Sequence, residues 1–157
     1  MNSDFTESQI RNALAGFATG VTVVTALNKH MKKIGMTVNS FNSVSLKPPL
    51  VLWSISCESR YFREFMLAET FAIHVLAADQ QDISKKFAGP EVDRFDGVSF
   101  SQGLFGMPLI NHYRACFQCS VADRYPGGDH MIIVGKVIAI DNREHKPLIF
   151  YGGGYGL

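Results

Sequence analysis

The chain reads as a mainly β protein with short helices, arranged as an antiparallel barrel. Runs rich in β-branched and aromatic residues outnumber the helical patterns, and the stretches joining them are short and turn-like. Both features favour a barrel over a doubly wound parallel sheet. At 157 residues, 46% of them hydrophobic, the chain can bury one core and has little room for a second. Residues 1–157 are therefore read as one domain.

The elements follow in order. Thr6-Glu7-Ser8-Gln9 has the spacing of a capping box, and Ile10, Ala13, Leu14 and Phe17 recur at helical intervals until Gly16 and Gly20 close the helix. Val21 to Leu27 and Ile34 to Phe41 flank the polar turn Asn28 to Lys33 and should pair as a hairpin. Arg60 to Glu69 places Phe62, Phe65 and Met66 on one helical face, and Phe71 to Leu76 is a buried-strand pattern. Asp79 should begin a second short helix that turns Ile83 and Phe87 inward. Gly89 to Phe105 is loop-rich, anchored by Phe95, Val98 and Phe100. Strands are expected at Ala115 to Val121, Met131 to Ile140 and Leu148 to Tyr151.

A formal net charge of +1 gives no electrostatic case for a nucleic-acid partner. No apolar run approaches a membrane span, and Asp4 and Glu7 reverse the basic start of a secretory signal. Three cysteines do not form a disulfide framework. Cys116 and Cys119 have redox-motif spacing, but residues three apart on a strand face opposite ways, so their sulfurs should not meet. His30, His74, His112 and His145 lack paired ligand spacing, and no metal site is expected. The expectation is a cytoplasmic protein with neither nucleic-acid nor membrane partner.

Candidate chemistry concentrates in Gly35 to Ser59, GMTVNSFNSVSLKPPLVLWSISCES. Thr37 and Asn39 would leave one face of a strand. A hydroxyl-rich connection follows, with Ser40, Asn42, Ser43 and Ser45, and Lys47-Pro48-Pro49 should break any ladder. Leu50 to Cys57 is an apolar run with Ser54 and Ser56 on one face, ending at Glu58-Ser59 where a helical pattern begins. Hydroxyls delivered to a helix start suit a phosphate; the same residues would also suit a solvated strand face and a plain N-cap at Ser59. His130 stands after a glycine turn, with Asp129 able to accept a ring N–H bond. Gly152 to Gly156 resembles a phosphate loop in composition only. No helix follows it, so the dinucleotide fingerprint is absent, and a flexible segment is the alternative.

Five segments in register resemble the short-chain flavin reductases, the small components of two-component flavin monooxygenases. They are ATGVTVVT (Ala18 to Thr25), GMTVNSF (Gly35 to Phe41), SVSLKPPLVLWSI (Ser43 to Ile55), GDH (Gly128 to His130) and PLIFYGGGY (Pro147 to Tyr155). The resemblance implies an FMN-binding split β-barrel, a homodimer, and transfer of a hydride from NADH or NADPH to FMN or FAD. Reduced flavin would then serve a flavin-dependent oxygenase. It further implies that Thr37, Asn39 and Ser40 meet the isoalloxazine edge. Ser54, Ile55, Ser56, Ser59 and Arg60 would surround the flavin phosphate, and Lys86 and Phe87, with Lys85 beside them, would border the flavin. His130, Tyr151, Gly152, Gly153, Gly154 and Tyr155 would meet the nicotinamide cofactor. The glycine run departs from the larger residues usual in the family. No catalytic side chain is implied, because hydride transfer belongs to the cofactors. The same barrel also admits a non-catalytic flavin or haem carrier, or another flavin oxidase.

Overall fold

The structure is a computed structural model that describes residues 4–156. The chain opens with helix α1 (Glu7–Ala15) and runs through strands β1 (Thr19–Gly20), β2 (Thr22–Leu27), β3 (Lys33–Val38), β4 (Asn42–Leu46) and β5 (Pro49–Ser56). Helix α2 (Phe62–Leu67), β6 (Thr70–Val75) and helix α3 (Gln81–Ala88) follow. Two short strands, β7 (Phe100–Gln102) and β8 (Pro108–Ile110), precede the long hairpin of β9 (Ala115–Gly127) and β10 (His130–Asn142). The chain then forms β11 (Ile149–Tyr151) and β12 (Gly154–Tyr155).

The main sheet has seven strands in the order β3-β2-β6-β9-β10-β5-β4, paired antiparallel throughout. Its two outer strands, β3 and β4, are consecutive in sequence and joined by Asn39 to Phe41, yet they do not pair with each other. The barrel is therefore split along a seam, and the GMTVNSF segment crosses it.

The core sits where alternate strand residues converge. Along β5, Val51, Trp53 and Ile55 point inward while Ser54 and Ser56 remain on the other face, the period-two pattern of a half-buried strand. Trp53 meets Phe65 and Phe71 edge-on, at centroid distances of 5.0 and 6.0 Å, the arrangement aromatic quadrupoles favour. Gly135 is needed here. A Cβ at that position would stand 2.4 Å from the Phe71 ring.

Several expectations hold in the structure. Thr6 caps α1 through a reciprocal box with Gln9, and β2 and β3 form the expected hairpin. Cys116 and Cys119 are free and pack into different clusters; burial pushes both thiols up to about 12. Other boundaries move. The hydroxyl-rich connection is itself strand β4. Pro49 does not break the ladder, because it occupies the first position of β5, opposite Leu46, where a proline is tolerated. Helix α2 starts at Phe62 with Tyr61 at its cap, so Ser59 is not the N-cap. Gln80, not Asp79, precedes α3; the Asp79 carboxylate is instead engaged by His112, 2.9 Å away. Strands β9 and β10 run to the Gly128-Asp129 turn, longer than the apolar pattern suggested, because ladder bonds extend into polar residues.

His74 is fully buried on β6. The Ile110 N–H donates to its Nε2, so its Nδ1 carries the proton and donates to the Val23 carbonyl at 3.1 Å. Burial lowers its pKa from 6.5 to about 4, partly offset by the Val23 bond. Below about pH 6.5 the unfolded chain takes up a proton that the folded chain refuses, so this group costs stability as pH falls toward 4 and costs none above 6.5. The protein should be about 2 kcal/mol less stable at pH 5 than at pH 7.5 from this residue alone. Denaturant melts across that range check it, since His74→Gln should flatten the slope between pH 5 and 6.5.

Candidate functional site

The seam positions the polar residues. In the β4–β5 ladder Asn42 faces Leu52 and Ser43 faces Val51, so Ser40 falls opposite Ser54. Its side chain takes over where main-chain pairing stops: Oγ donates to the Ser54 carbonyl at 3.1 Å and accepts the Ser54 N–H at 2.9 Å. The Ser40 hydroxyl is thus spent on holding the seam, and any contact from this residue to a ligand falls to its backbone. Beyond it, Ser59 Oγ, in the turn after β5, reaches Met36 Sδ of β3 at 3.9 Å.

Thr37 and Asn39 line a cavity of about 230 Å³, together with Ser84 and Tyr155. Strand β3 ends at Val38, so Asn39 lies just beyond it and is exposed. Asn39 is also a wall of a wider groove of about 530 Å³ against Leu14 and Phe17 of the α1 end. One amide therefore stands between two adjoining spaces. Thr37 Oγ1 donates to the Ser84 carbonyl at 2.7 Å, which leaves its lone pairs as acceptors. The Ser84 hydroxyl pairs with the Tyr155 phenol at 2.9 Å.

The end of β5 and the turn after it supply further hydroxyls. Ser56 Oγ accepts from the Glu58 N–H at 3.2 Å and keeps its own proton free, while Ser59 Oγ accepts a long bond from the Tyr61 N–H. Arg60 is exposed and donates to the Pro90 and Glu91 carbonyls. Ile55 and Phe87 take no part through their side chains. Both are fully buried in the core, Phe87 beneath Gly35, where an added Cβ would come within 2.7 Å of its ring. Lys86 is half-buried on the last turn of α3; Lys85 is exposed, its Nζ 6.0 Å from the Tyr155 ring centroid.

His130 begins β10 directly opposite Ser56, so the fold brings it beside the hydroxyl-bearing strand despite their distance in sequence. Its Nδ1 lies 2.7 Å from Oδ1 of Asp129. A carboxylate can only accept, so Nδ1 carries the proton, and the bond holds the Asp129 carboxyl below the usual range. Arg11 of α1 also acts on that carboxylate.

The glycine run is ordered into a hairpin. Tyr151 pairs with Gly154 across Gly152 and Gly153, whose φ values are +60° and +80°, as a two-residue primed turn requires. Phe150 faces Thr19, and the Gly152 N–H donates to the Ala15 carbonyl at 2.9 Å. Helix α1 therefore links the two parts expected to meet the nicotinamide cofactor: Arg11 acts toward the Asp129-His130 turn, and Ala15, about 6 Å further along the axis, holds the tail. No motif singles out Ser84 or Arg94, which lie 47 and 59 residues from their partners Thr37 and Gly35.

A split antiparallel barrel whose seam end carries a small cavity bounded by Thr37, Asn39, Ser84 and the aromatic tail, with further hydroxyls and Arg60 at the turn after β5, is the architecture of a cofactor-binding β-barrel. The chain belongs to the flavin reductase family: the family description "Flavin reductase like domain" matches residues 14–156. It is 48% identical to the FMN reductase (NADH) SmoA of Agrobacterium fabrum, over 93% of this chain and 83% of that one. The structure of the Streptomyces globisporus NADH:FAD oxidoreductase SgcE6, in complex with NAD and FAD fragments, superposes with a TM-score of 0.91 at 36% identity. That match covers 99% of this chain and 96% of the other. The reductase component of the flavin-dependent trigonelline monooxygenase of Acinetobacter baylyi is 40% identical over 94% of this chain. The chain spans about half the length of some relatives, 47% of that component and 49% of a Rhizobium meliloti relative that is 44% identical over 96% of this chain.

Ser40→Ala removes both bonds to Ser54, and the seam should lose roughly 1–3 kcal/mol of stability. Because the change loosens the cleft wall and not one contact, affinity for riboflavin and for FMN should fall by similar factors. Calorimetric melting and two flavin titrations on the variant check this.

Proposed function

We propose that this protein oxidises NADH or NADPH and reduces FMN or FAD, and that reduced flavin passes to a flavin-dependent oxygenase. The observation that carries this reading is the donor set along the seam, which fits a flavin nucleotide at both ends. Thr37 has spent its proton on Ser84 and can accept the ring N–H, while the exposed Asn39 amide offers both a donor and an acceptor to the neighbouring ring atoms. Ser56, Ser59 and Arg60 would take the phosphate. Ser54, whose backbone is bound by Ser40, would hold the wall between them.

When bound, flavin and nicotinamide supply the redox chemistry, and the protein supplies alignment. His130 keeps Nε2 as an acceptor while its ring is neutral, because Nδ1–H is committed to Asp129. That atom suits the carboxamide N–H of a nicotinamide. Tyr151 to Tyr155 would close the other side, with Tyr155 fixed by Ser84.

The remainder of the reading rests on the family. Relatives named as reductase subunits or components of monooxygenases, such as HsaB of Mycobacterium tuberculosis, support an oxygenase partner. The reading takes residues 1–157 as one flavin reductase-like unit that forms a homodimer in the cytoplasm. Free thiols at Cys57, Cys116 and Cys119 fit a reducing compartment. Among the described residues no helix is long and apolar enough to cross a membrane.

The direct experiment is steady-state NADH oxidation with and without added FMN or FAD, beside a flavin fluorescence titration. Flavin-dependent consumption is expected; tight flavin binding with no consumption would turn the reading to a carrier. His130→Ala should raise the Michaelis constant for NADH about tenfold and leave turnover at saturation within a few-fold, the pattern of lost uniform binding. FMN affinity should change little. A fall in FMN affinity with an unaltered NADH constant would instead assign His130 to the flavin.

A further inference from the structure

Thr37 and the tail belong to different sheets. Strand β3 is an edge of the seven-stranded sheet, whereas β11 and β12 join β1 in a separate three-stranded sheet. The two ligands of the proposed reaction divide the same way, flavin toward Thr37 and Asn39, nicotinamide toward the tail. Hydride transfer needs close alignment of the two, and a displacement of about 1 Å can cost roughly a hundredfold in rate. The sheets therefore need a fixed register at the small cavity that Thr37 and Tyr155 both border.

Ser84 of α3 supplies a link between them. Its carbonyl accepts the Thr37 hydroxyl at 2.7 Å, and its own hydroxyl pairs with the Tyr155 phenol at 2.9 Å. Among the described residues, this pair is the one side-chain hydrogen bond from β11 or β12 to another element. The remaining ties do not orient the Tyr155 ring. The Gly152 N–H holds the turn to Ala15, and Phe150, which meets the ring edge-on at 5.5 Å, belongs to the tail itself. Packing on the cluster of Val21, Leu76 and Phe87 is apolar and non-directional. Gly154 and Gly156 flank Tyr155, and a Cβ at either would stand in open space. Ser84, by contrast, is a firm reference point. It is 1% exposed within a helix whose Phe87 lies beneath Gly35 of β3.

We propose that Ser84 is a positioning residue for hydride transfer, setting the tail against the flavin edge through the Tyr155 phenol. The inference rests on the flavin reductase reading and adds to it a residue whose polar groups are engaged by the protein and not by either ligand. The Thr37 bond uses the Ser84 backbone, so a side-chain change at 84 keeps that bond and severs only the tie to the tail. Flavin binding and nicotinamide alignment are therefore separable at this one residue.

The test is a single turnover. FMN-loaded protein is mixed with NADH in the absence of oxygen, and bleaching of the flavin absorbance is followed. Ser84→Ala and Tyr155→Phe should each slow bleaching at saturating NADH by about tenfold or more, with FMN affinity within about threefold of wild type. The double variant should be within about twofold of the slower single, since both changes remove the same bond. On flavin-free protein, hydrogen–deuterium exchange should quicken across residues 149–156 in both variants and stay unaltered in the β9–β10 hairpin. Should Ser84→Ala fail to fold, Tyr155→Phe carries the test by its rate, its FMN affinity and its exchange. Unaltered bleaching, slowing in one single variant and not the other, or losses that multiply in the double variant would each overturn the proposal. So would a loss of FMN affinity as large as the loss of rate, which would make Ser84 a wall of the flavin cavity. In all of those cases a wild-type protein bleached by NADH leaves the flavin reductase reading standing. A wild-type protein that binds FMN and is not bleached would remove that reading, and the role of Ser84 in hydride transfer with it.

Discussion

The unclosed seam is the constraint on which the rest of the molecule depends. The seven-stranded sheet begins at β3 and ends at β4, which follow each other in sequence, yet no ladder pairs them. A full closure would satisfy every edge with backbone bonds and leave no free strand end at the seam. Here Ser40 replaces the missing ladder step with one hydroxyl that both donates to and accepts from Ser54. Just past the seam, Asn39 borders both the small cavity against α3 and the tail and the wider groove against the end of α1. The same residue type that looks like a flavin contact in the sequence is, in the fold, the pin that lets the contact site exist.

Around that opening the chain uses neutral groups at one end and fixed charge at the other. Thr37, Asn39, Ser84 and Tyr155 offer hydrogen bonds of defined direction near the small cavity. The turn after β5 adds the Ser56 and Ser59 hydroxyls and the Arg60 guanidinium. A flavin nucleotide has the same polarity: a neutral, hydrogen-bonding ring and an anionic phosphate. Such an arrangement needs no strongly perturbed acid or base in the cleft. The largest shifts occur elsewhere, at His74, Cys116 and Cys119, where burial is their main cause and the groups serve packing.

The family and the polar cleft were legible because their signals are local. A capping box, a two-strand hairpin and the alternation of Val51, Trp53 and Ile55 with Ser54 and Ser56 depend on neighbours within a few residues. The misplaced boundaries share one cause, which is that a distant partner decided them. Asp79 would cap a helix but for His112, and Ser59 stands two residues before the cap, its hydroxyl accepting from the Tyr61 N–H and donating toward Met36. The apolar side chains Ile10, Leu14 and Phe17 keep helical spacing and remain exposed, since no element of the described chain lies over them.

By itself, then, the sequence determined the class of fold, the strand pairs joined by short turns, and the segments that carry the polar groups. Tertiary structure alone decided what each of those groups is free to do. It spends the Ser40 hydroxyl, turns Thr37 into an acceptor, and sets His130 opposite Ser56. It also recruits Ser84 and Arg94 from positions that no motif marked. The physical reason is that a side chain's hydrogen-bonding capacity is small and is allotted by whichever partner comes within about 3 Å. Those partners lie on strands and helices that meet only when the barrel closes around its core.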